Sequence, residues 1–223
     1  MNSRVRVSSS WFAKQALYDS CSTEGPIVIV NNSNDQLSFG GGGTNGAIVN
    51  FFYPDQSTRF CGLMNAGRQH RDNWHLHSGP LCKAGSKGKE EDVDSTPHPP
   101  GAIWYNSLPE KRRRGTNVTH IVHVVGPIND ANFSNGEDEA TARERAAKVV
   151  GEATNNILVL AESKLGARTI IMSGISAGIF ARGSNKWKET MYDTMRTSIR
   201  EHCEEKSSEE SSNSIEVVLV GEW

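Results

Sequence analysis

The sequence predicts an α/β protein in three layers, with helices on both faces of a central, mostly parallel sheet. Three observations predict it. Four short stretches are continuously apolar, as inner strands covered on both faces are. Two long segments carry apolar residues at helical spacing. Strand and helix patterns alternate along the chain, which implies crossover connections and parallel pairing.

Taken in order, Arg4 to Val7 alternates and reads as an edge strand, and about Trp11 to Tyr18 reads as a short helix. Ile27 to Val30 is the first buried strand. A short Asn-rich link, Asn31-Asn32-Ser33-Asn34, and a run of four glycines, Gly40 to Gly43, lead to a helix beginning near Asn45. Asn65 to Ser107 is long, polar and rich in Gly, Pro and His, the pattern of an inserted lid-type loop. The basic run Lys111-Arg112-Arg113-Arg114 reads as a solvated turn before the second strand, His120 to Val125. A helix over about Glu137 to Lys164 follows from Ala142, Ala146, Val149, Ala153, Ile157, Leu160 and Ala161. Thr169 to Ile175 is the third strand. Trp187, Met191, Met195 and Ile199, four apart, define a helix from about Asn185 to His202. A Glu/Ser-rich connector, Glu204 to Ser214, precedes the last strand, Ile215 to Val220.

A chain of 223 residues is most simply one domain, residues 1–223. A net charge of −2 argues against bulk nucleic-acid binding, which needs a basic surface. No apolar run approaches the length that spans a bilayer. The N-terminus lacks the apolar centre of a signal peptide. Cys21, Cys61, Cys82 and Cys203 form no CxxC pair and read as reduced thiols of an intracellular protein. The expectation is a monomer with no cofactor and no metal. His75, His77 and Cys82 match no zinc spacing, and with His70 and His98 they read as incidental to a polar loop.

The chemistry is expected at the carboxyl ends of the strands, where open α/β sheets bind ligands. Three pieces fall there: Asn31 to Gly46, His123 to Pro127, and Ser173 to Phe180. Glycines let a ligand lie on the backbone, and the first amides of the following helix are unpaired and partly positive. Two such loops would clamp a diphosphate. Neither has the Gly-Lys-Ser/Thr ending of a P-loop, and the first lacks the spaced glycines of a dinucleotide fingerprint. His123, on an apolar strand, reads as a hydrogen-bonded core histidine.

Five segments in order resemble the macrodomain family: Asn31-Asn32-Ser33-Asn34 its Asn-Ala-Ala-Asn; Leu37 with Gly40 to Ile48 its glycine loop; Tyr105 to Pro109 its Tyr-Asn-Leu-Pro; Ile121 to Pro127 its Val-Ile-His-Thr-Val-Gly-Pro; and Ile175 to Phe180 its Ile-Ser-Thr-Gly-Ile-Phe. Residues 85–100 look like an insertion. The resemblance implies a three-layer α/β/α macrodomain that binds ADP-ribose, free or on protein, and hydrolyses mono-ADP-ribose from modified proteins. It implies a catalytic set of Asn34, Gly42 and Phe180. The implied ligand set is Asp19 and Ser20 near the adenine, then Asn31, Asn34, Gly41, Gly42, Gly43, Thr44, Asn45 and Gly46. Ser173, Ser176, Ala177, Gly178, Ile179 and Phe180 supply the second loop. Two departures stand out. Asn45 replaces the aspartate with which MacroD-type hydrolases assist water attack, and an amide cannot accept the proton. Ala177 replaces a threonine. They keep open a non-catalytic reader of ADP-ribosylated proteins, or a binder of a related adenine nucleotide.

Overall fold

The computed structural model describes residues 4–8, 24–35, 37, 43–54, 74–78, 98–129, 137–208 and 215–220. The helix expected at Trp11 to Tyr18 lies outside them, as do Asp19, Ser20, Gly41 and Gly42. Seven strands are described: β1 (Arg4–Ser8), β2 (Ile27–Ser33), β3 (Trp74–Ser78), β4 (Ile103–Ser107), β5 (Val118–Val125), β6 (Thr169–Ser173) and β7 (Glu216–Val220). They form one sheet in the order β1-β7-β6-β2-β5-β4-β3. The first five in that order pair parallel, and β4 and β3 pair antiparallel at the other edge.

The three layers follow from the period-2 geometry of the strands. Val28, Val30, Val122, Val124, Ile170, Met172, Val217 and Leu219 share one core. Against it pack α2 (Glu139–Val159) through Ala146, Val150, Ala153 and Ile157, and α3 (Asn185–Ser208) through Trp187, Met191, Met195 and Ile199. The intervening residues Ile27, Ile29, Ile121, Ile171, Val218 and Val220 meet Ile48, Val49, Phe51 and Phe52 of α1 (Gly43–Phe52) on the opposite face. A strand must be apolar at every position when helices cover both faces, hence the unbroken runs.

Helix ends are set locally. Asp138 starts α2 by accepting from the Thr141 amide at 2.8 Å. A π-helical turn, Leu160–Lys164, closes that helix. Gly43 opens α1 at φ +60°, a left-handed conformation in which its missing Cβ matters.

Two expectations need correction. The long loop is not loop throughout. Both β3 and β4 fall inside it, and β4 carries Ile103, Trp104, Tyr105 and Asn106 in the buried interior. The Asn-rich link is the end of β2, which pairs with β5 through Ser33↔Val125. The basic run is the expected turn, with Lys111 and Arg114 exposed, and two of its arginines also reach the end of α1. Arg114 Nη1 donates to the Phe51 carbonyl at 3.0 Å, its guanidinium lies 5.6 Å from the Phe51 ring centroid, and that of Arg112 lies 4.9 Å from the Tyr53 centroid. Cations suit the negative end of a helix and the faces of aromatic rings. In addition, α3 runs six residues past the expected His202, to Ser208.

His120, beside this turn, gives a pH prediction. Burial first, then the charge of Arg113, holds its pKa below the ordinary imidazole value. The unfolded chain therefore takes up the proton more readily. Stability from this source is full above the ordinary value and falls as pH drops through it towards the folded value. Thermal unfolding at about pH 7.5 and about pH 5.5 should show a smaller acid loss in His120→Gln than in wild type. An unchanged loss would mean that His120 contributes none of it.

Candidate functional site

The site is built where β2 and β6 part. Their ladder runs Ile27↔Thr169, Val28↔Ile170 and Ile29↔Ile171 and stops there. Beyond Ile29, β2 stays with β5 for four more residues, and β6 ends at Ser173. The parting opens a crevice at the carboxyl ends, the place where doubly wound sheets bind ligands.

On one side is the loop after β2. Asn34 is partly buried, and its carbonyl accepts from the Leu37 amide at 3.0 Å. Leu37 is fully buried in a small cluster with Ala102, Trp104 and Val125. That cluster anchors the chain just before the glycine run. His98 adds a second anchor: its amide donates to the Asp35 carbonyl at 2.7 Å, and its ring meets Trp104 edge-on at 5.6 Å. Gly43, Thr44, Asn45 and Gly46 form the first turn of α1, whose amides have no intrahelical acceptor.

On the other side, the chain turns through Gly174–Ala177, closed by Ala177 N–H to Gly174 O at 3.3 Å. Ser176 sits at φ +60° with its carbonyl held by Trp187 Nε1 at 3.2 Å. The amides of Ser176, Gly178, Ile179 and Phe180 donate to no acceptor among the described residues. Open space lies above Gly178, where an added Cβ would meet nothing within 4 Å. Asn129 fixes the far end of this loop, donating from its amide to Phe180 O at 2.8 Å and from Nδ2 to Ala181 O at 3.1 Å.

Beneath the crevice a polar chain crosses three strands. Asn31, fully buried, donates from Nδ2 to His123 Nδ1 at 3.0 Å and lies within reach of Ser33 Oγ at 3.1 Å and Asn45 Oδ1 at 3.4 Å. His123 Nε2 lies 2.8 Å from Asn106 Oδ1. An amide donor at Nδ1 places the proton on Nε2, so neutral His123 accepts on one side and donates on the other. The core-histidine reading of His123 holds, and Asn106, which sequence reasoning overlooked, is its partner. Asn45 meets Asn31 of this chain from above.

The structure brings Asn34, Gly43, Thr44, Asn45 and Gly46 to one side of the crevice, and Ser173, Ser176, Ala177, Gly178, Ile179 and Phe180 to the other, while Asn31 is fully buried beneath it. Ala177 is buried, Gly178 and Ile179 are exposed, and Phe180 is partly exposed. The hydroxyls of Ser173 and Thr44 lie 2.7 Å apart and hydrogen-bond to each other. His75 and His77 lie on β3, and His70 and Cys82 outside the described residues. Among the described residues, no group of three metal-ligating side chains gathers and no helix is long and apolar enough to cross a membrane.

No protein-family model matches the chain, and no curated protein does. Solved structures do. A mutant of the Oceanobacillus iheyensis macrodomain is similar with a TM-score of 0.56 and 19% identity over 97% of this chain and 82% of that one. The same macrodomain with ADP is similar at 0.54 and 21%, over 87% and 75%. The Trypanosoma brucei macrodomain in complex with ADP is similar at 0.55 and 15%, over 99% of this chain and 64% of that one. With the parallel core, the antiparallel edge and the crevice in place, the chain has the macrodomain fold.

Proposed function

We propose that this protein binds ADP-ribose and removes mono-ADP-ribose from modified proteins. The observation that carries the reading is the pairing of two amide-bearing loops across one crevice, with the N–H groups of Ser176, Gly178, Ile179 and Phe180 unengaged among the described residues. Backbone donors without an acceptor are the natural seat of a diphosphate, since charge-assisted bonds to them are the strong kind. The similar macrodomains that carry ADP support the choice of ligand. In this reading Asn34 positions the distal ribose and a water, Gly41 to Gly43 and the second loop hold the diphosphate, and Phe180 confines the ribose. Asp19 and Ser20 would meet the adenine. Positioning, not a strong base, carries the rate.

Calorimetric titration with ADP-ribose, with AMP and ATP as controls, tests the binding; release of ADP-ribose from an automodified transferase tests the activity. Asn34→Ala should lower turnover at least about 10-fold while changing ADP-ribose affinity less than about 3-fold, because it removes an interaction made mainly in the transition state. Equal losses in both would refute a catalytic role for Asn34. A second reading, a non-catalytic reader, is favoured by Asn45. Its carbonyl oxygen faces the Asn31 amide, and no carboxylate stands there. Binding without release would select it.

A further inference from the structure

Asn32 is the residue at which the two sides of the crevice are tied together. It stands in the part of β2 that has already left β6. Its Nδ2 donates to Ser173 Oγ at 3.1 Å and to Gly174 O at 2.9 Å, across 141 and 142 positions of sequence. Ser173 Oγ in turn meets Thr44 Oγ1, in the first turn of α1, at 2.7 Å. One side chain thus links the end of β2, the end of β6, the start of the second loop and the helix that follows the glycine run. No backbone ladder does so there, because pairing between β2 and β6 ends at Ile29↔Ile171. Asn32 Oδ1 is buried and has no partner among the described residues. The side chain therefore acts through its donor half.

We propose that Asn32, with Ser173 and Thr44, is a clasp that sets the separation of the two loops, and so is a positioning device for the diphosphate. The position is a departure from the Asn-Ala-Ala-Asn pattern, whose alanine has no group to reach across. On this reading the Ser173 and Thr44 hydroxyls serve the clasp and not the ligand. A ligand that bridges both loops with a diphosphate depends on their spacing. A nucleoside monophosphate does so much less.

The proposal rests on the binding reading above, and two measurements separate their failures. The first uses no ligand. Amide hydrogen exchange in Asn32→Ala and Asn32→Asp should quicken at the hydrogen-bonded amides flanking the clasp, Ala47 and Ile48 of α1 and Ile175 and Ala177 of the second loop, and stay unchanged in β5. Asp keeps the size of Asn and its Oδ1, removes both donated bonds and puts an oxygen against the Gly174 carbonyl. It is the sharper variant and remains informative if Asn32→Ala folds poorly. Unchanged exchange in the loops overturns the clasp, whatever the ligand. The second measurement is calorimetry with ADP-ribose, ADP and AMP. Both variants should lose about 10-fold in affinity for the two diphosphates and less than about 2-fold for AMP. Equal loss for all three, or no loss for the diphosphates, overturns the positioning role. If wild type binds none of them, the functional reading falls, and the exchange rates alone decide the clasp.

Discussion

Gly126→Val should abolish ADP-ribose binding while leaving the fold standing. Gly126 follows directly after β5 and lies against the second loop. A Cβ there would come within 2.3 Å of Ser176 Oγ, 3.2 Å of Ile175 Cγ2 and 3.3 Å of the Ser176 amide nitrogen. The hydroxyl alone can turn aside, but the amide belongs to a backbone already held at φ +60° and pinned through its carbonyl to Trp187. The added methyls of valine therefore push the loop itself. That loop presents the unengaged amides of Ser176, Gly178, Ile179 and Phe180. Charge-assisted hydrogen bonds contribute about 1.5–3 kcal/mol each. Misplacing one or two of them lowers affinity by about 10- to 20,000-fold. Titration with ADP-ribose reads the loss, and thermal unfolding checks the fold. Gly126→Ala should fall between wild type and Val. A folded Gly126→Val protein that binds like wild type would show that the second loop seats no ligand.

His123→Leu should be the most damaging single change to stability in the polar chain under the crevice. The imidazole is fully buried between Asn31 Nδ2 and Asn106 Oδ1. Leucine is apolar and answers neither amide. Asn31 keeps Ser33 and Asn45 within reach, so most of the cost falls on the buried Asn106 oxygen, whose other amide atom already serves Ser107 O at 3.1 Å. An unsatisfied buried polar group costs about 1–3 kcal/mol, and the variant should lose about that much. For a domain of this size that is about 2–12 °C in the unfolding midpoint. The double variant His123→Leu with Asn106→Leu should recover part of the loss, since replacing both partners removes the orphaned group. Strictly additive losses in the two single variants and the double would show that the pair is not coupled.

The core was legible in the sequence because its signals are local. A strand sandwiched between helices is apolar at every step, and a helix on a sheet is apolar every third or fourth step. Thus β2, β5, β6 and β7, together with α2 and α3, can be read residue by residue. The candidate loops were legible for a related reason: glycines and an Asn-rich stretch at strand ends mark places where the backbone itself is presented. Signals that depend on a partner were not legible. In β4, Trp104, Tyr105 and Asn106 form a strand because β5 offers them an antiparallel edge. Asn31 to Ser33 are polar, yet they extend β2 because β5 still pairs with them after β6 has turned away. The basic run reads correctly as a solvated turn, but that Arg112 and Arg114 also reach Tyr53 and the end of α1 shows only once those groups are set beside them.

By itself, the sequence determined the layered α/β core and the strand ends at which a ligand site would lie. Only the tertiary structure decided which polar residues join which. Asn31 finds His123, His123 finds Asn106, and Asn32 finds Ser173 and Gly174, across separations of up to 142 residues. A hydrogen bond between groups so far apart in the chain leaves no periodicity in the sequence. It exists only once the sheet order β6-β2-β5-β4 has laid those strands side by side.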